Sequence, residues 1–395
     1  MSAGINLASM ISTNKSIIKL SRNHSINFEV HFATDLFNSL TKSTLQLLCR
    51  NNKLFIVIDK NVYNLYSRRI DSFFKNCNCL YKIILIEALE ENKTMKTVTE
   101  ICQAAKDFQM KRNSIFIGIG GGITLDILGF AAFLFRRKTR YIRIPTTLVG
   151  LVDAGVGVKV GVNFDNAKNL IGGYYAPIAT FNDQSFLKTL DISNIRSGLY
   201  EIVKMGLVND KKLFQLTEQY YKDFLNNNFN NKTDEIIYLS AFSMMKELEP
   251  NLHEHNLKRS VDFGHTFSTF IEESSGYSMN HGEAVGLDIL ISSFISLQRG
   301  ILSQHEFNRI FNLISSIGFT TRYQLASLDK FYNSLDNVRN HRAGDLNLVL
   351  PSKIGSCIFT NECLKEELEK AVDFSKDFIH WGTYGRTKRM ENAFL

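Results

Sequence analysis

Between Phe28 and about Asp183 the chain alternates short apolar runs with segments of helical length. Leu54 to Ile58 ends at Asp59, Tyr81 to Ile86 is a second run, Ser114 to Gly118 a third, and Tyr141 to Ile144 precedes Pro145. Each has the length of a strand and carries β-branched residues. Strands separated by helices are joined by crossovers, so this half reads as βαβ units around a largely parallel sheet. Such sheets take ligands beyond the carboxyl ends of their strands.

After about Phe186 the character changes. Segments 196–222, 233–248, 283–298 and 303–316 carry apolar residues at helical spacing, and Leu346 to Leu350, before Pro351, is the one strand-like stretch. At 395 residues and 44% hydrophobic, the chain exceeds one comfortable core. Two domains are expected: an α/β domain over 28–184 and a mainly α-helical domain over 185–376. An N-terminal extension (1–27) and a C-terminal tail (377–395) flank them. Leu225 to Lys232 is a polar loop rather than a linker.

Charge narrows the partners. The net +7 comes from basic and acidic residues mixed along the chain, without the basic, aromatic-interleaved patches that nucleic acid requires. A small anionic ligand suits this balance. No apolar stretch is long enough to span a bilayer, so no membrane role is expected. The six cysteines form no CxxC pair, which reads as reduced thiols in a cytoplasmic protein. The first residues carry Ser and Lys, with no acid before Glu29. That has a faint transit-peptide character but reads as a variable extension.

Ile117-Gly118-Ile119-Gly120-Gly121-Gly122 follows a strand and opens a helix near Thr124. Successive glycines bring backbone close to a ligand, and a helix amino terminus offers free N–H groups to a pyrophosphate. The spacing departs from GxGxxG, so a tight turn without ligand stays open. Thr146 and Thr147, after the next strand, either bind phosphate or ribose or cap a helix. Asp59 either meets a ribose hydroxyl or caps one. Glu90-Glu91-Asn92-Lys93 is a further polar cluster after a strand.

His265 (in Val261-Asp262-Phe263-Gly264-His265) and His281 (in Asn280-His281-Gly282-Glu283) each precede a helical pattern and are expected to open it. They are either metal ligands or satisfied structural histidines. A metal that keeps a position open for substrate uses two or three His with a carboxylate. The candidate is Glu201, which shares a helix face with Lys204 in strongly apolar surroundings (LYEIVKMGL). A buried charge there needs a partner or a metal.

Several long motifs, in order, carry a resemblance. GGGITLDILGFAAFLFRRKTRYIRIPTTLVGLVDAGVGVKVGVNFDNAKNLIGGYYAP, GLYEIVKMGLV, ELEPNLHEHNLKRSVDFGHTFS and NHGEAVGLD resemble the sugar phosphate cyclases, the dehydroquinate synthase-like family, over roughly residues 50–360. The resemblance implies a Rossmann-like NAD-binding domain followed by a helical domain that holds Zn2+ or Co2+. It implies a sugar phosphate substrate in the cleft and a homodimer. By matching motifs, Glu201, His265 and His281 are metal ligands. Gly120, Gly121, Gly122, Asp126, Thr146 and Thr147 are NAD positions, with Asp59, Glu90 and Lys93 as nucleotide contacts. Asp153, Lys159, Lys168, Asn169 and Lys204 lie at the substrate and nicotinamide. Arg137 binds phosphate and can reach the partner subunit's site. The chemistry implied is transient oxidation by NAD, phosphate elimination, reduction and intramolecular aldol closure.

Within the family, Gly264-His265-Thr266-Phe267-Ser268-Thr269 departs from the GHTxGHA of dehydroquinate synthases: Thr269 replaces a proton-transferring histidine. Asp262 stands where asparagine is usual, and the substrate-binding arginine aligns near Lys258 and Arg259. VDFGHTFS and Asp288 resemble the branch acting on sedoheptulose 7-phosphate, the 2-epi-5-epi-valiolone synthases above all, although that branch usually has proline at position 269. His341 and Arg342 fall where the family has phosphate contacts, and Lys246 is placed with them. Alternatives are 3-dehydroquinate, demethyl-4-deoxygadusol and 2-deoxy-scyllo-inosose synthases. From another class, an NAD- and metal-dependent polyol dehydrogenase shares the two-domain plan.

Overall fold

The computed structural model describes residues 10–13, 18–21, 25–37, 44–49, 52–165, 167–276, 278–320, 323 and 327–379. Its strands are β1 (Met10–Thr13), β2 (Ile18–Ser21), β3 (Glu29–Ala33), β4 (Leu54–Asp59), β5 (Tyr81–Ile86), β6 (Ile115–Gly120), β7 (Tyr141–Pro145), β8 (Lys159–Phe164), β9 (Ala167–Tyr174), β10 (Ala179–Asp183), β11 (Leu348–Lys353) and β12 (Ser356–Thr360). Helices α1 (Thr44–Cys49), α2 (Lys60–Asn76), α3 (Met95–Asp107) and α4 (Gly122–Leu134) alternate with the early strands. After β10 come α5 (Ile192–Val208), α6 (Lys211–Leu225), α7 (Asn231–Leu248), α8 (Ser268–Ser274), α9 (His281–Gln298), α10 (Gln304–Ile317), α11 (Leu328–Asn333), α12 (Leu335–His341) and α13 (Lys365–Ile379).

The central sheet has the order β3-β10-β7-β6-β4-β5, and every pairing in it is parallel. Along β4, Leu54, Ile56 and Ile58 pack with Ile70, Phe73 and Phe74 of α2. Phe55 and Val57 pack on the other face with Val98 and Ile101 of α3 and Leu128 of α4. A strand buried on both faces reads as a continuous apolar run, which is why these strands were plain in the sequence. β5 and β6 lie on opposite sides of β4, so the strand order reverses between β4 and β6. That opens a crevice at their carboxyl ends.

Some details differ from expectation. β6 runs on to Gly120 and α4 begins at Gly122. Segment 196–222 is two helices, because Asn209 ends α5 and the Asp210 side chain caps α6. β8 and β9 form an antiparallel hairpin outside the main sheet. In the helical half, β11 pairs with a second strand, β12, that the sequence reading omitted. The expected tail from 377 starts inside α13, and 380–395 lies outside the described residues. Of the 1–27 extension, β1 and β2 pair antiparallel. All six cysteines are free. Among the described residues no helix is long and apolar enough to cross a membrane.

The helical half is built around the crossing of α5 and α9, and glycine permits it. A Cβ on Gly282 would lie 2.1 Å from Ser197 Cα, and one on Gly286 would lie 2.6 Å from the Tyr200 ring. Asn280 caps α9 by accepting from Glu283 N at 2.9 Å. It also joins the two helices through Ser197 Oγ (2.6 Å) and Ser193 Oγ (2.5 Å).

Candidate active site

The carboxyl edge of the sheet carries the first group of candidates. Asp59 caps α2, accepting from Asn61 N at 2.8 Å; burial raises its pKa against these backbone bonds. Gly120 has no room for a side chain, since a Cβ would lie 2.6 Å from Thr124 Oγ1. Gly121 caps α4 without a side-chain hydrogen bond, and Gly122 is its first residue. The amino-terminal N–H groups of α4 are thus left for another acceptor. Thr146 N donates to Gly120 O (3.0 Å) and Gly150 N donates to Thr147 Oγ1 (3.1 Å), tying the next loop to the glycine turn. Asn163 Nδ2 donates to Glu90 Oε1 at 2.8 Å. Buried Lys93 donates to Asp126 Oδ2 and Asn169 Oδ1, both at 2.6 Å.

The second group gathers on the helical side. Glu201 and Lys204 project from one face of α5, and both are about 1% exposed. His281 is the first residue of α9. His265 does not open a helix: it lies in the turn between the 3-10 segment Ser260–Asp262 and α8, which begins at Ser268. Asp288 fixes this turn by accepting the backbone N–H groups of Thr266 (2.9 Å), Phe267 (2.5 Å) and Ser268 (3.0 Å). His281 Nε2 is 3.2 Å and His265 Nε2 3.9 Å from Glu201 Oε1. One ligand atom from each residue lies within 4.8 Å of the others, and among the described residues this is the one such cluster of three His, Cys, Asp or Glu side chains.

The donor set fits a divalent cation. Both Glu201 oxygens are sealed from water: Oε2 pairs with Lys204 Nζ, and Oε1 faces the two imidazoles. Buried anionic oxygens of this kind call for a positive partner. Burial opposes ionisation of Glu201, but Lys204 at 2.5 Å and the two imidazoles outweigh it and hold the carboxyl well below its usual range. Burial, reinforced by Lys204, lowers His265 to about 4, leaving a neutral imidazole, and its Nδ1 sits 3.1 Å from Phe263 O. The surroundings of His281 also disfavour charge, yet Glu201 and Glu272 raise it to about 10. One carboxylate with two imidazoles is a familiar set for zinc with an open position.

Around the cluster, Lys204 Nζ lies 3.8 Å from Asp153 Oδ2. Asp153 sits in the π-helical turn Gly150–Ala154, and desolvation raises its pKa although Lys204 opposes it. Lys168 Nζ contacts Glu272 Oε2 at 2.6 Å, and Glu272 Oε1 meets His281 Nδ1 at 2.9 Å. Sequence reading missed Glu272, whose only signal was an acid after Phe270-Ile271. It also passed over Glu254, which holds Lys159 Nζ at 3.0 Å and contacts Arg259.

The remaining candidates divide. Asp262 accepts from Arg259 at 2.6 and 3.1 Å and lies 3.7 Å from Arg342 Nε. Arg342 is buried, donating to Leu346 O at 2.5 Å. Asp288 is fully buried, with one oxygen on the His265 turn and the other on Ser292 Oγ at 2.9 Å, so it anchors that turn instead of facing the cleft. Lys246, Lys258, Thr269 and His341 are exposed, as is Arg137. Arg137 is the middle of three consecutive left-handed residues, Arg136, Arg137 and Lys138 (φ 50°, 60° and 78°).

The family models for the 3-dehydroquinate synthase N-terminal and C-terminal regions match residues 83–197 and 198–340. A 2-epi-5-epi-valiolone synthase from Actinomyces sp is 38% identical over 81% of this chain and 86% of its own length. A demethyl-4-deoxygadusol synthase from Trichormus variabilis is 33% identical over 89% of this chain and 88% of its own. The structure of ValA, a 2-epi-5-epi-valiolone synthase from Streptomyces hygroscopicus subsp. jinggangensis 5008 with NAD+ and Zn2+ bound, superposes with a TM-score of 0.87 at 33% identity. That match covers 91% of this chain and 99% of ValA.

Proposed function

The chain belongs to the dehydroquinate synthase-like family of sugar phosphate cyclases, and from that membership we propose that it converts sedoheptulose 7-phosphate into 2-epi-5-epi-valiolone and inorganic phosphate. The observation that carries the substrate is the charge state of the His265 turn. Arg259 is held by both Asp262 and Glu254, so this cation is already neutralised and offers little to a substrate carboxylate. A substrate with hydroxyls in place of a carboxylate suits such a site.

NAD belongs to the 28–184 domain, along the edge formed by Asp59, Glu90, the Gly120–Gly122 turn, Thr146 and Thr147. Zn2+ or Co2+ belongs to Glu201, His265 and His281 in the 185–376 domain. When bound, NAD supplies reversible hydride transfer and the cation polarises substrate oxygens. The chain's own groups bind, orient and handle charge. Burial opposes the charge of Lys204, but Glu201 and Asp153 keep it a fixed ammonium, suited to an oxyanion forming beside the cluster. Asp153, half-exposed next to it, is suited to move a proton to or from that oxygen. Lys159, 64% exposed on the hairpin and paired with Glu254, is the cation assigned to the leaving phosphate. Asn169 and Lys168 orient the substrate. The enzyme is a cytoplasmic homodimer in which Arg137 serves the partner subunit's site.

The test is incubation of the protein with sedoheptulose 7-phosphate, NAD and Zn2+ or Co2+, following phosphate release and identifying the carbocycle by NMR. Phosphate and 2-epi-5-epi-valiolone form with no net NADH absorbance. Net NADH would indicate a dehydrogenase. Turnover only of the dehydroquinate precursor, or a demethyl-4-deoxygadusol product, would overturn the substrate or product assignment.

A further inference from the structure

We infer that Glu272 is a positioning residue that aims His281 at the cation site and ties that ligand to the β8–β9 hairpin across the cleft. Glu272 lies on α8 and is 5% exposed. Its two oxygens have separate tasks. Oε1 meets His281 Nδ1 at 2.9 Å, and Oε2 accepts from Lys168 Nζ at 2.6 Å. Lys168 belongs to β9, in the other half of the molecule. With Nδ1 donating to Glu272, Nε2 of His281 is turned toward Glu201 Oε1, 3.2 Å away, where its lone pair becomes available to a cation once its proton is displaced. Without that acceptor the ring is free to turn about its side-chain bonds, because 43% of the His281 side chain is exposed and little packing restrains it. His265 needs no such partner, since Phe263 O already meets its Nδ1 at 3.1 Å. The two histidines are therefore aimed by different means, one by its own turn and one by a carboxylate that also grips the hairpin.

Removing a hydrogen-bond partner behind a metal-bound histidine typically weakens metal affinity or activity by roughly 10–100-fold. This inference rests on the ligand assignment proposed above, so the test separates the two. Co2+ is titrated into metal-free wild type, Glu272→Ala, Glu272→Gln and His281→Ala, reading the cobalt d–d absorption, while thermal unfolding of each metal-free protein checks folding. Expected is a Co2+ affinity roughly 10–100-fold lower for Glu272→Ala. Glu272→Gln should recover part of it, because its amide oxygen still accepts from Nδ1, and His281→Ala should bind weakest. Wild-type affinity in Glu272→Ala overturns the inference and leaves the ligand assignment standing. Wild-type affinity in His281→Ala overturns both. If Glu272→Ala fails to fold, Glu272→Gln decides alone: reduced affinity with an altered cobalt spectrum supports the inference, and unchanged values overturn it.

Discussion

At the scale of single residues, Glu201 is an anion whose oxygens are cut off from water, with Lys204 and two imidazoles for company. Replacing it with Gln keeps the shape and removes the charge. Glu201→Gln is expected to fold and to lose stoichiometric zinc or cobalt, measured by elemental analysis after dialysis; full metal content would remove Glu201 from the ligand set. Glu201 was open to sequence reading because an acid inside LYEIVKMGL cannot be solvated along a helix face. Glu272 was not, because an acid beside Glu273 in a short polar helix looks the same whether buried or exposed. Only the fold places it under His281. Thr269 marks where the sequence departs from dehydroquinate synthases, yet its side chain is exposed and the charge pairing happens nearby at Asp262 and Arg259.

At the scale of elements, the cluster depends on how closely two helices cross. Glu201 and His281 are eighty residues apart in sequence, and they meet because Gly282 and Gly286 let α9 lie directly on α5. Gly282→Ala would put a methyl 2.1 Å from Ser197 Cα, so the helices must separate. Overpacking of this kind costs roughly 1–3 kcal/mol. The variant is expected to unfold at lower temperature and to bind Co2+ more weakly, read by calorimetry and titration. Unchanged Co2+ affinity would mean that the crossing does not set the ligand spacing. Helical periodicity made α9 legible, but not the crossing. The same limit explains the error at His265. Its position before an apolar run suggested a helix start, whereas Asp288, from another helix, takes the backbone N–H groups of the next three residues and holds the turn open.

At the scale of the whole molecule, a parallel sheet presents its carboxyl edge to a helical body, and the ion pairs Lys168–Glu272, Lys159–Glu254 and Lys204–Asp153 span the two. The sheet was legible because strands buried on both faces are apolar throughout; the antiparallel β8–β9 hairpin that carries Lys159 and Lys168 was not, because its buried Val160 and Val162 are interleaved with glycine and polar residues and form no continuous apolar run. Arg137 stands apart from this arrangement. It is exposed, beyond α4, on a backbone held in three left-handed residues. Strain of that kind persists where the surroundings require it and often marks a functional position. If Arg137 serves the partner's site, each site of the dimer combines Glu201 from one chain with Arg137 from the other. Arg137→Ala and Glu201→Ala would each inactivate the homodimer. Mixed by co-expression, they form heterodimers in which one of two sites has both residues intact. With one intact site of two in a two-fold dimer, the heterodimer is expected to recover about half of wild-type turnover. The measurement is phosphate release from sedoheptulose 7-phosphate by the purified, doubly tagged heterodimer. No recovery, in a heterodimer that still binds one equivalent of metal, would assign Arg137 to its own subunit.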